Sequence, residues 1–361
     1  MSGIFAPSDA GPWLFGRRTD LLIFGGSAAL SLLLLAAGAT LGVAETDTPP
    51  WLWLLCVVGV DVAHVWSTAF RVYLDPAELR RRRALYLGLP VLCYGAGLMA
   101  HAISALSFWR LLAYAAVYHF VRQQYGWVAL YRRRAGECGR LDRVLDSAAI
   151  YAATVYPLLH WHGNLPRSFH WFLPGDFVPG LAAAVAQWLE PLYWAIGTAF
   201  CLRQLVLVAK HQAVNWGKVL VVLSTWLCWH LGIIAFDGDF AFTVTNVLIH
   251  GIPYIVLTYR YAHARARESH APAGLAWLRW GGALGFGGAI ILAAAAEEAL
   301  WDRLIWHDHG WLFGEGVALA DGVALALVPL LALPQALHYA LDGFIWRVRS
   351  ENPQLLEELG A

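Results

Sequence analysis

The chain has 361 residues, of which 59% are hydrophobic and only 14% charged, and its mean hydropathy is +0.53. A water-soluble domain of this length does not carry so apolar a composition, so a multi-pass membrane protein is expected. Twenty-five basic residues balance twenty-five acidic ones, and no basic patch with interleaved aromatics lies away from the apolar segments, which excludes bulk nucleic-acid binding. Cys56, Cys93, Cys138, Cys201 and Cys228 are scattered without CxxC spacing and read as small packing residues, not as a thiolate site.

The first apolar run, Leu21 to Ala39, follows Arg17 and Arg18 without a clear cleavage site and is expected to remain as a helix. Further runs predict spans at 51–71, 84–106, 108–131, 144–160, 181–209, 217–236, 241–261, 277–299 and 315–345. The expected fold is therefore an all-α polytopic bundle of about ten transmembrane helices, forming one integral domain over 1–361. The division of 84–131 rests on the Ser104–Ser107 region, and Pro334 is a candidate kink.

Charge gives a second test of this topology. Arg17 and Arg18, Arg80 to Arg83, Arg132 to Arg134, Lys210 and Lys218, Arg265 and Arg267, and Arg347 and Arg349 fall at alternate connections. The intervening connections are neutral or acidic, the larger ones being 160–180 and 297–316. The positive-inside rule then puts both termini and every basic turn in the cytoplasm, with those two loops outside, as in a bacterial-type inner membrane protein.

Polar residues inside these spans carry the functional signal, because lipid makes them costly. His64, His119, His250 and His338 fall at similar depth between mid-membrane and the basic ends, and His211 lies beside Lys210 at the end of its span. Each has a polar neighbour three or four residues away, on the same helical face: Asp61, Gln123, Asn246, Asp342 and Asn215 respectively. A metal-bound imidazole gives its second ring nitrogen to such an acceptor, so the five histidines are candidate ligands for one mono- or dinuclear centre. Asp61 or Asp342 would be a direct ligand, an orienting acceptor or a general base. A single intramembrane histidine is as well explained by an interhelical hydrogen bond; the shared depth and repeated spacing favour the metal.

Arg71 and Arg122 lie beside these stripes, as salt-bridge partners for Asp61 or Asp75, or as holders of a lipid phosphate or substrate carboxylate. Asp75 precedes Pro76 and reads as a helix-boundary residue. A rival metal site would use the loop residues His160, His162, His170, His307 and His309 with Asp176, Asp302 or Asp308.

In hydropathy and in the positions of His64, His119, His250 and His338, the chain resembles histidine-rich integral-membrane non-haem iron oxygenases of the desaturase, hydroxylase or carotene-dioxygenase type. It departs from desaturases in lacking HxxxH or HxxHH boxes in its basic connections and in having more spans. The resemblance implies iron, with zinc or manganese as other fillings of a nitrogen and oxygen site. It carries over no particular substrate; the reading of the chain itself is an apolar or lipid-like substrate taken from the bilayer, with an electron donor as a further partner. The expected activity is a metal-dependent oxidoreduction. Zinc-assisted hydrolysis or transfer, haem-based electron transfer and proton-coupled transport are the alternatives, although no inverted repeat supports the last.

Overall fold

A computed structural model describes residues 12–180, 183–320 and 322–347. Their long helices are α1 (Arg17–Thr40), α2 (Pro50–Arg71), α4 (Arg83–Ile103), α5 (Ala105–Arg134), α6 (Arg140–Gly163), α7 (Ala183–Ala209), α8 (Trp216–Ala235), α9 (Asp239–Ala266), α10 (Leu278–Trp306) and α12 (Val323–Ile345). Two short helices, α3 (Pro76–Arg81) and α11 (Gly310–Phe313), lie in connections. Eight of the long helices are sufficiently long and apolar to cross a membrane. The other two, α5 and α6, reach 30 and 24 residues but carry more polar side chains than the rest. Leu33, Val91, Leu284 and Leu292 point outward from their helices, as lipid-facing residues must.

Local chemistry explains the breaks. Ser104 is extended, and its hydroxyl accepts the Ser107 amide at 3.0 Å, capping α5 and ending α4. Ala332 interrupts α12 immediately before Leu333 and Pro334, because a proline restricts the residues before it and cannot donate to the preceding turn. Asp75 is indeed a boundary residue: its carboxylate accepts from the amides of Ala77 and Glu78 at the start of α3.

Ion pairs gather the basic connections at one end of the bundle. Arg265 reaches Asp75 at 2.8 Å, joining the end of α9 to the α2–α3 turn. Asp146 of α6 holds both Arg132 of α5 and Lys218 of α8, and Arg203 of α7 reaches Asp142. Asp20 of α1 accepts from Tyr131 of α5. At the opposite end Arg167 meets Asp237, and the Trp53 ring stacks on His309 at 3.8 Å. The alternation expected from charge is thus present as a physical two-endedness. Arg349 and both chain termini lie outside the described residues.

The burial of Asp75 and Glu78 works against their charge, yet both carboxyls are held below their ordinary range. For Asp75 the Arg265 and Tyr261 hydrogen bonds outweigh burial; for Glu78 the Arg81 fork and the Arg71 charge do so.

Helices α2, α5, α9 and α12 form a closed ring, each packed on two of the others in the order α2, α9, α5, α12. Wide π-type turns occupy Trp53–Val62 in α2 and Thr243–Val247 in α9, just before each helix supplies its inward histidine. Small residues let α2 and α9 approach: a side-chain carbon on Gly251 would stand 2.6 Å from a Val60 methyl.

Candidate metal centre

The ring of helices turns four imidazoles toward one point. His64 comes from α2, His119 from α5, His250 from α9 and His338 from α12, all buried, with one ligand atom from each within 4.8 Å of the others. Their Nε2 atoms form a continuous series: His338 to His119 is 2.9 Å, His119 to His250 is 3.2 Å, and His250 to His64 is 3.1 Å. Among the described residues this is the one group of three or more such side chains with metal-binding geometry.

Protons alone serve this arrangement poorly. A neutral imidazole carries one N–H, and four protonated rings would repel one another in a buried site. The outward nitrogens have their own surroundings. His338 Nδ1 lies 2.7 Å from the Thr68 hydroxyl, which is 3.1 Å from Tyr254 Oη. Trp346 donates to that same Tyr254 oxygen at 3.1 Å. His64 Nδ1 is 3.5 Å from Asp61, and His119 Nδ1 is 3.4 Å from Asp342, separations that fall short of a hydrogen bond but place a carboxyl group beside each ring. With Nδ1 protonated toward these three neighbours, the Nε2 lone pairs of His64, His119 and His338 converge beside the His250 ring, as in a nitrogen-donor metal site. Phe120 stacks on His250 at 3.6 Å and Tyr339 on His119 at 5.2 Å, fixing two of the ring planes.

The structure brings His64, His119, His250 and His338 together, whereas His211 stands apart. It occupies an exposed turn after α7 with φ 54°, a left-handed conformation beyond the reach of the helix ring. Its expected partner Asn215 instead caps α8 and donates to the Tyr131 carbonyl and Glu137. Three other expected pairings also differ. Asp342 approaches His119 on the neighbouring helix, not His338 on its own. Gln123 donates to the His250 carbonyl at 2.8 Å. Asn246 donates to Thr245 and the Phe242 carbonyl, leaving the His250 ring without it. Helical spacing identified the polar face correctly, but four converging helices offered closer partners.

Arg71 is buried toward the basic end, 3.3 Å from Glu78, with its guanidinium 4.2 Å from the centre of the Tyr261 ring. Its shown contacts are thus Glu78, the Ile345 carbonyl and the Tyr261 ring, in place of the expected Asp61. Arg122 donates to the Tyr151 hydroxyl and lies over Tyr125 at 4.9 Å. The outer-loop histidines are dispersed: His162 contacts Tyr114 and the Leu158 carbonyl, while His309 sits by Asp302 and Trp53.

A cavity of about 1070 Å³ reaches this centre. His119, Gln123, Arg122, Tyr339 and Asp342 line it beside apolar residues of α4, α5 and α12. Tyr254 and Tyr339 were not singled out by sequence, although Tyr254 follows His250 by four residues and so shares its helical face. The chain matches no protein-family model, no curated protein and no solved structure.

Proposed function

We propose that this is a membrane-embedded metalloenzyme, an iron-dependent oxygenase or oxidase acting on a lipid or other apolar substrate. The observation that carries the reading is the convergence of four Nε2 atoms from four different helices at a cavity lined largely by apolar residues. Imidazole donors suit iron, and bound iron would supply the one-electron chemistry needed to use dioxygen. The close approach of the four rings also leaves no room for a porphyrin between them, which favours non-haem over haem chemistry.

In this reading the protein's contribution is orientation and charge. Asp61 and Asp342 keep a proton on Nδ1 of His64 and His119, which aims each Nε2 inward and increases its donor strength. Thr68 does the same for His338, and Phe120 and Tyr339 hold ring planes by stacking. The cavity receives an apolar molecule from the bilayer and keeps bulk water from the reacting atoms. The α5 and α6 helices complete ten crossings, with the basic end in the cytoplasm of a bacterial-type inner membrane, where an electron donor would dock.

Elemental analysis of purified protein tests this directly. Wild type should retain about one or two equivalents of iron, zinc and manganese being the other fillings to measure. Alanine at His64, His119, His250 or His338 should abolish retention, whereas His211→Ala should leave it intact. Active protein without stoichiometric metal would overturn the assignment.

A further inference from the structure

The cavity is not uniformly apolar, and Arg122, a cation well inside a long helix, sits next to the four-histidine centre. Arg122 follows His119 by three residues on α5, so it lies on the same face about 4.5 Å further along the helix axis. Charged groups at this depth normally have an oppositely charged neighbour in contact. No carboxylate stands within ion-pair distance of Arg122 among the described residues, and Asp342, which lines the same cavity, acts on it only through space; Tyr151 accepts from one Nη, and the Tyr125 ring covers one face. The rest of the planar, multiply donating guanidinium borders the cavity.

The surroundings of Arg122 divide the cavity into two kinds of surface. On the His119 side away from Arg122 are Leu112, Phe108, Gly97, Ala96 and Pro329, with Leu112 about 10 Å from His119 along α5. On the other side the lining is charged, with Arg132, Arg133, Arg143 and Arg347 beside Glu137, and of these Arg133, Arg143 and Arg347 are exposed.

We propose that Arg122 binds the anionic head of an amphipathic substrate, a carboxylate or a phosphate on a single long apolar chain. The head lies at Arg122, the tail extends past His119 into the Phe108 and Pro329 region, and Arg133 and Arg143 attract the anion to the mouth. This rests on the metalloenzyme reading and adds to it: the carbons nearest the head, not the chain terminus, are presented to the four-histidine centre. Tyr151 positions the guanidinium by accepting from it, leaving its free edge for the ligand. A forked contact to a carboxylate or phosphate in a site of low polarity is the strongest use of an arginine of this kind.

Binding of hexadecanoate, hexadecyl phosphate and hexadecanol to purified protein in nanodiscs separates head chemistry from tail burial. Wild type should bind one or both anions at least about tenfold tighter than the alcohol, a difference expected of a charge-assisted contact. The stronger anion identifies carboxylate or phosphate as the head. Arg122→Gln should abolish that preference while leaving alcohol binding and metal content unchanged. Arg122→Lys keeps a charge without the fork, and should retain only part of the preference. Equal wild-type binding of the three ligands, or an undiminished anion preference in properly inserted Arg122→Gln or Arg122→Lys protein, overturns the proposal. Metal content measured on the same samples distinguishes the two readings: an anion preference that depends on Arg122 in metal-free protein would sink the metalloenzyme and keep the head-group site.

Discussion

The Asp342 carboxylate approaches His119 across a helix interface, at 3.4 Å from Nδ1, although His338 lies only one turn away on its own helix. One acidic residue thereby couples α12 to α5 through a ring aimed at the centre. Asp342→Asn should therefore lower metal affinity about 10- to 100-fold while preserving insertion. Chelator titration followed by metal analysis measures the change; unchanged retention would show that the carboxylate does not tune His119.

Thr68 has the corresponding position beside His338, with its hydroxyl 2.7 Å from Nδ1. Thr68→Val keeps the shape but removes that partner, so it should weaken metal retention about 10-fold or more, whereas Thr68→Ser should retain most of it. Comparable retention in the valine and serine variants would indicate that Tyr254 packing, not the hydroxyl, orients the ring.

The contact between α2 and α9 makes Gly251 a sensitive position. A methyl there meets Val60 at 2.6 Å, one residue from His250. Gly251→Ala should cost about 1–3 kcal/mol of stability and reduce metal retention by shifting the His250 helix. Thermal unfolding in detergent and elemental analysis provide the two readouts; wild-type values in both would refute close packing as the constraint.

At the basic end the pH dependence has a definite sign. Asp75 and Glu78 have depressed folded-state pKa values because Arg265, Tyr261, Arg81 and Arg71 together outweigh burial. Their contribution is complete above the unfolded carboxyl range near about 4 and is lost as pH falls through their lower folded values. Melting temperature should drop below about pH 4 in wild type, and less steeply in Asp75→Asn/Glu78→Gln protein. Parallel curves would show that other carboxylates govern acid sensitivity.

Much of the helix plan was legible because lipid imposes long apolar runs and basic residues mark alternate ends. The four histidines were legible for a related reason: an imidazole at mid-membrane is costly unless enclosed. What spacing could not provide was their choice of partners. Asp342 shares a face with His338, yet ring packing brings it to His119, and Thr68 is the residue that reaches His338. His211 misled because it has the right composition around it but lies beyond the helix end, where a left-handed turn exposes it. Tyr254 carried no charge to draw notice, although the four-residue interval from His250 was a usable signal.

Because His64, His119, His250 and His338 come from segments spread along the chain, the four-histidine cluster is complete only once its last contributing helix has been made. A nascent chain that has inserted α1 through α10 holds three of the imidazoles but neither His338 nor Asp342. Those arrive only with α12, so the four-imidazole cluster assembles after that helix leaves the ribosome. The order of translation thus delays assembly of the four imidazoles until α2, α5 and α9 have already been made.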